Sequence, residues 1–235
     1  MQLALNHGAR PPALFDETLA FLRQAIGRHG KDRIALVSSF GADAAILLHM
    51  IAGICPDLPI LFINTGKLFG ETLSYRDRLI KGLGLTGLRT IGPSADAQQK
   101  LDPDGDLWLK SPDQCCAFRK VQPLTEALVP YDAWINGRKR FQSVTRSRLE
   151  PVEQADGKTK YNPLADWSPD DIRAYFALHN LEPHPLVADG YPSIGCMPCS
   201  DRVSDGEDSR AGRWRGQGKV ECGIHLGAPT EIRDE

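Results

Sequence analysis

The stretch RIALVSSFGADAAILLHMIAGI, residues 33–54, joins a continuous apolar run, a small polar turn and apolar residues at helical spacing. A strand buried on both faces reads as such a run, and a helix following it opens a parallel crossover unit. The pattern recurs. LPILFINTG (58–66) is a second apolar run, and GETLSYRDRLIKGLG (70–84) carries Leu73, Leu79 and Ile80 on one side before a glycine stop. GLRTIGP (87–93) and DAWINGR (132–138) complete the strand candidates. Such runs interleaved with helices predict an α/β fold with a doubly wound, mostly parallel sheet covered on both faces. Ligands of these sheets bind outside the carboxyl ends of the strands. Here those ends read SSFGAD, NTGKLF and NGRKRFQS, all polar and containing glycine.

SPDDIRAYFALHN (168–180) opens with Ser168 as N-cap, Pro169 in the first turn and Asp171 three residues on, the start of a capped helix. After about residue 183 the composition turns to Gly, Pro, Asp and Arg with little apolar periodicity. The expected division is an α/β domain over residues 1–183 and an irregular C-terminal segment over 184–235. The segment is too irregular to form its own core, so something besides hydrophobic burial must order it.

The 235 residues, 41% hydrophobic and 25% charged with net charge −2, suffice for a substantial core. Near-neutral charge argues against nucleic-acid binding through a general basic field. No run of 18 apolar residues and no basic-then-apolar leader occurs, so the expectation is a cytoplasmic protein without a membrane span.

Six cysteines are too few for a disulfide scaffold, and in a cytosolic chain they point to metal binding or catalysis. Cys55 reads as an ordinary structural thiol. Cys115 and Cys116 are adjacent, and neighbouring Cα atoms, about 3.8 Å apart, are too close for a relaxed disulfide. IGCMPCS supplies Cys196 and Cys199 at the usual two-ligand spacing for zinc or an iron–sulfur cluster, a spacing that redox dithiols share. An adjacent pair is awkward for one compact ion, and a four-iron cluster with four corners accommodates it better.

The Ser/Gly turn VSSFGAD can cradle an anion with backbone N–H groups, although it lacks the P-loop pattern. Arg138, Lys139, Arg140, Arg146 and Arg148 follow in one basic stretch, and Arg210, Arg213 and Arg215 in another. Either alone reads as a solvated face; together, in a chain of negative net charge, they suggest a small, multiply anionic substrate. Cys222, between Glu221 and Gly223, suits a nucleophile on a movable tail, with cationic neighbours to ionise it.

With CCAFRKV, YPSIGCMPC, GEDSRAGRW and ECGIH in that order, the chain from about residue 30 to 226 resembles the assimilatory sulfonucleotide reductases, specifically the iron–sulfur adenylylsulfate (APS) reductases, which are related to the phosphoadenylylsulfate (PAPS) reductases. The resemblance implies a nucleotide-binding domain of the adenine nucleotide alpha hydrolase-like, PP-loop related fold. It implies a 4Fe-4S cluster on Cys115, Cys116, Cys196 and Cys199, and a catalytic thiolate at Cys222 assisted by Lys120, set between cluster and sulfate. Nucleotide contacts carry over to Ser38, Ser39, Phe40, Gly41, Ile63, Thr65, Gly137 and Arg146, and sulfate and phosphate contacts to Arg210 and Arg213. The activity implied is reduction of APS to sulfite and AMP through an S-sulfocysteine, in sulfate assimilation and cysteine biosynthesis. Thioredoxin or glutaredoxin would be the external reductant, and homo-oligomer formation is left open.

Two departures bear on this. The family's second loop reads Asp-Thr-Gly, whereas Asn64 begins it here, and SSFGADAAILLH is closer to the PAPS reductases, which lack the cluster cysteines. The ligand set points to APS, with PAPS as the alternative substrate. An ATP pyrophosphatase-type enzyme would carry Ser-Gly-Gly-x-Asp-Ser in the first loop, which is missing, and a zinc-stabilised binding module remains the non-catalytic alternative.

Overall fold

A computed structural model describes residues 13–225. In chain order the elements are α1 (Ala13–His29), β1 (Ile34–Ser38), α2 (Ala44–Ile54), β2 (Ile60–Ile63), α3 (Gly70–Gly82) and β3 (Leu88–Ile91). Short helices α4 (Ala95–Leu101), α5 (Leu107–Lys110) and α6 (Pro112–Cys116) follow, then a π turn (Ala117–Val121) that continues into α7 (Gln122–Leu128). The chain goes on through β4 (Ala133–Ile135), β5 (Val152–Ala155), β6 (Lys158–Tyr161), α8 (Pro169–Leu178) and α9 (Pro185–Ala188).

The six strands form one sheet in the order β3-β2-β1-β4-β6-β5, parallel except for the β5–β6 hairpin. The α/β expectation holds, and the four strands foreseen are its first four. Every residue of β1 is buried, as a central strand with both faces covered requires. One face carries the larger core, with Leu36, Phe62, Leu48 and Ile51 packed under Trp167 and Tyr175. The other packs Ala35, Val37, Leu61 and Trp134 against Leu124 and Leu128 of α7. Chain connection reverses direction between β1 and β4, so their C-terminal loops diverge and leave a crevice between them.

The predicted cap of α8 is present: Ser168 Oγ accepts from the Asp171 N–H at 3.2 Å, and the Asp171 carboxylate accepts from the Ser168 N–H at 2.8 Å. The hairpin was not foreseen. Its two-residue loop, Asp156-Gly157, has φ of 53° and 71°, the left-handed pair that joins twisted strands.

The segment after residue 183 differs from its expectation of little burial. Leu186, Ile194 and Trp214 are buried, and Trp214 packs against Cys116, Cys196 and Cys199. Residues 224 and 225 are also seated: Ile224 joins the second core, and His225 stacks on Trp134 with ring centroids 5.4 Å apart.

His184 opens this segment and fixes α9 to α3. Its Nδ1 accepts from the Leu186 N–H at 3.2 Å, and its Nε2 lies 3.0 Å from Thr72 Oγ1. Burial holds the ring neutral and pushes its pKa from 6.5 down to about 4. As pH falls below 6.5 the unfolded chain takes up this proton first, so stability declines until the folded protein also protonates near pH 4. A shift of this size corresponds to about 3 kcal/mol. Urea unfolding at pH 7 and pH 4.5 should show the decline, and His184→Asn, whose Oδ1 can replace Nδ1 as acceptor, should flatten it. An unchanged slope in that variant would assign acid sensitivity elsewhere.

Candidate active site

The turn after β1 places the first set of side chains. Phe40 adopts a left-handed φ of 49°, which turns its ring into the core against Phe62 at 5.3 Å while its N–H donates to Ser38 Oγ at 3.2 Å. The Phe40 ring is thus turned into the core, and Phe40 is not among the residues that line the crevice. Its neighbours Ser38, Ser39 and Gly41 do line it.

The loops after β2 and β4 add Ile63, Thr65 and Gly137, and the short turn Val144–Arg146 adds Arg146. Lys120 enters from the π turn, and Arg210, Arg213 and Cys222 from the C-terminal segment. These residues share one cavity of about 240 Å³ at the carboxyl ends of the parallel strands. Asn64 serves its loop without a carboxylate, because its Oδ1 accepts from the Gly66 N–H at 3.0 Å. Gly195 leaves room for the Arg213 guanidinium, with which any Cβ there would overlap.

Four cysteines ring a second, smaller void. Cys115, Cys116, Cys196 and Cys199 are each 5–8% exposed and none is in a disulfide. They line that void with Lys67, Trp108, Arg119 and Lys120. Cys196 and Lys120 border both spaces and so form part of the wall between them.

Among the described residues no three His, Cys, Asp or Glu side chains are grouped so as to hold a single metal ion. The all-thiol donor set is soft, suited to an iron–sulfur cluster. Burial pushes the Cys115 thiol up to about 11 and raises Cys116 and Cys199 as well, so a metal must displace their protons to bind. Two buried donors beside the thiols, Arg119 Nε and Trp214 Nε1, have no hydrogen-bond partner among the described residues. Unpaired buried N–H groups are costly, and sulfur acceptors between the cysteines would satisfy them. The residues present therefore fit a thiolate-held cluster.

The rest of Arg119 is firmly placed. It forms a buried ion pair with Asp102 at 2.6 Å and donates to the Thr65 carbonyl at 2.7 Å, tying the π turn to the β2 loop. The sequence reading assigned nothing to Arg119, Asp102 or Trp214; a buried-type aromatic in a Gly/Arg-rich tail was the one available sign.

Charge in the main cavity is unevenly compensated. Arg138 pairs with Glu153, Lys139 with Asp43 at 2.9 Å, and Arg146 with Glu221 at 2.7 Å. Arg210 shares Glu221 at 3.4 Å, and burial together with nearby Arg146 pushes it down to about 10. Lys120 and Arg213 have no carboxylate partner among the described residues. They lie over the Trp214 ring, at 5.8 and 4.5 Å from its centroid. Burial opposes the charge on Lys120, but the facing Cys196, Cys222 and Cys116 thiols outweigh it and raise its pKa. Cys222 is partly buried against the same cysteine cluster. A thiol, two uncompensated cations and a third half-compensated one thus face a space large enough for a small anionic ligand.

Comparison with known proteins agrees with this geometry. Residues 33–202 match the family model described as phosphoadenosine phosphosulfate reductase domain. The chain is 51% identical over 195 residues to the adenosine 5′-phosphosulfate reductase of Mesorhizobium japonicum, covering 83% of this chain and 77% of that one. It is 42% identical to the phosphoadenosine 5′-phosphosulfate reductase of Gloeobacter violaceus, covering 88% and 87%. Among solved structures, the PAPS reductase of Candida auris in a phosphate complex superposes with a TM-score of 0.67 at 23% identity, over 86% of this chain and 99% of that one, a likeness of fold. The NH3-dependent NAD synthetase of Campylobacter jejuni shares the fold with a TM-score of 0.54 at 14% identity, over 74% of this chain and 76% of that one.

Proposed function

The chain belongs to the phosphoadenosine phosphosulfate reductase domain family, and from that premise we propose that it reduces APS to sulfite and AMP in sulfate assimilation, with Cys222 as nucleophile and a dithiol protein as reductant. The observation that carries this reading is the cavity that brings Cys222, Lys120, Arg210 and Arg213 together beside the strand-end loops and the four-cysteine void.

The nucleotide would rest on the loops after β1, β2 and β4, with its phosphosulfate toward Lys120, Arg210 and Arg213. The Cys222 thiolate attacks the sulfate sulfur; an S–S bond forms, the S–O bond to phosphate breaks, and AMP leaves with that electron pair. The S-sulfocysteine is then attacked at Cys222 Sγ by one thiol of a thioredoxin or glutaredoxin. Sulfite leaves with two electrons, and the second thiol of the reductant resolves the mixed disulfide. Cys115, Cys116, Cys196 and Cys199 would hold a 4Fe-4S cluster. Such a cluster supplies a polarisable anionic centre beside the substrate site. Free thiols suit a cytoplasmic location.

APS is favoured over PAPS by the cavity's charge. A 3′-phosphate adds about two negative charges, yet Arg138 and Lys139 are already neutralised by Glu153 and Asp43. Lys120 and Arg213, with half of Arg210, match the phosphosulfate alone. Sulfite release from APS and from PAPS, each with thioredoxin, tests the assignment directly. Faster turnover of PAPS would transfer it to the alternative, and no release from either would end the reductase reading. Iron and acid-labile sulfide in anaerobically purified protein test the cluster. About four irons per chain are expected, and stoichiometric zinc without sulfide would exclude it.

A further inference from the structure

Glu221 stands directly before Cys222, and its carboxylate is held in a two-point fork by Arg146. Nε donates to Oε1 at 2.7 Å and Nη2 to Oε2 at 2.8 Å. Nη1 of the same arginine donates to Gln142 Oε1 at 2.6 Å, so each guanidinium nitrogen of Arg146 already has a protein acceptor. Arg210 Nη2 reaches the carboxylate at 3.4 Å and the Val220 carbonyl at 2.8 Å. The Arg146 and Glu221 side chains are only 11% and 12% exposed. Burial pushes the Glu221 carboxyl up, but Arg146, with Arg210 and Thr145, outweighs it and holds the group below its usual value, ionised.

Other restraints on this stretch are weaker. Val220 is 60% exposed, and Lys219 pairs with Asp113, whose side chain is 88% exposed. Exposed pairs of that kind contribute little, whereas a bidentate, largely buried fork is strong. The tail between buried Trp214 and stacked His225 is thus pinned in its middle at Glu221, one residue from the thiol.

We propose that Glu221 is a positioning residue: with Arg146 it forms a latch that closes the tail and sets Cys222 against the cavity. Arg146, a nucleotide contact by resemblance, is here first a latch residue, with three of its five N–H groups committed to Glu221 and Gln142. The meaning of closure rests on the reductase reading, but its test needs no substrate. Removing one partner of a buried pair leaves a lone charge that water must reach, and the tail must open for it to do so.

The test uses the full chain, cluster loaded, in a Cys55→Ser background, and measures iodoacetamide alkylation of Cys222 by peptide mass and proteolysis across residues 214–222. Glu221→Gln and Arg146→Gln should each raise the alkylation rate by about tenfold or more. The double variant should rise no further than the larger single, because both report one latch, and Glu221→Asp should recover part of the protection. AMP affinity should change equally in the two singles. An unchanged alkylation rate in Glu221→Gln, additive effects in the double, or AMP affinity lost only in Arg146→Gln would overturn the latch. Should Glu221→Gln fail to fold, Arg146→Lys carries the test: it keeps the charge but loses the fork, and alkylation must still accelerate. Sulfite release by the parent protein reads the reductase assignment separately, so either idea can fail while the other stands.

Discussion

Cys222→Ser is expected to abolish sulfite release, a loss on the order of 10⁴-fold or more, while AMP binding and iron content stay at the parent level. The hydroxyl of serine has nearly the size of the thiol but neither its acidity nor its affinity for sulfur, so the S–S bond cannot form. Cys222 lines the main cavity and not the cysteine void, which separates its role from that of Cys115, Cys116, Cys196 and Cys199. Incubation with radiolabelled APS should therefore leave label on the parent chain and none on the variant. A thioredoxin lacking its resolving cysteine should be trapped as a mixed disulfide at Cys222. Residual turnover in Cys222→Ser, or trapping at Cys55, would displace the nucleophile assignment.

Lys120→Ala should lower kcat/KM by about 10²- to 10³-fold, a cost of roughly 3–4 kcal/mol for one lost electrostatic contact to developing charge. Lys120 borders both voids and has no carboxylate partner among the described residues, so no carboxylate competes with a substrate anion for its charge. The Cys196, Cys222 and Cys116 thiols that face it outweigh its burial and keep it charged. Iron content should be kept, because the four thiols remain. Lys120→Arg should recover part of the rate, since charge survives while the point geometry of the ammonium does not. Full activity in Lys120→Ala would remove the proposed role, and loss of iron would make the residue structural.

The strands that build the crevice were legible because each is an apolar run buried on both faces, a property local to its own residues. The Val152–Tyr161 hairpin was not, because its first strand is half exposed and carries no such run. Its Asp156-Gly157 turn was the missed signal. Cysteine pairing was readable from spacing. Pairing of charges was not: Arg146 with Glu221 and Lys139 with Asp43 lie 75 and 96 residues apart along the chain. The basic stretches therefore looked uniformly available for anions, whereas folding pairs several of these cations and leaves Arg213, like Lys120, without a carboxylate partner among the described residues. The direction of the Phe40 ring was not legible either, since it is set by a left-handed φ.

The π turn at Ala117–Val121 has a consequence in helical phase. A helix advances about 100° per residue, so a π turn acts as one residue inserted without breaking the rod. Pro123, just beyond it, has no N–H to offer the turn behind it, which is where such widening is cheap. The widened turn sets the angle between Cys115–Cys116 on one side of it and the Leu124–Leu128 face on the other. Wound at regular pitch, the same residues would advance about one residue's rotation further. That would swing the cysteine pair and the sheet-packing face out of register by about a quarter turn. The widened turn therefore keeps the cysteine pair and the core face in phase while it seats Arg119 and Lys120 between them.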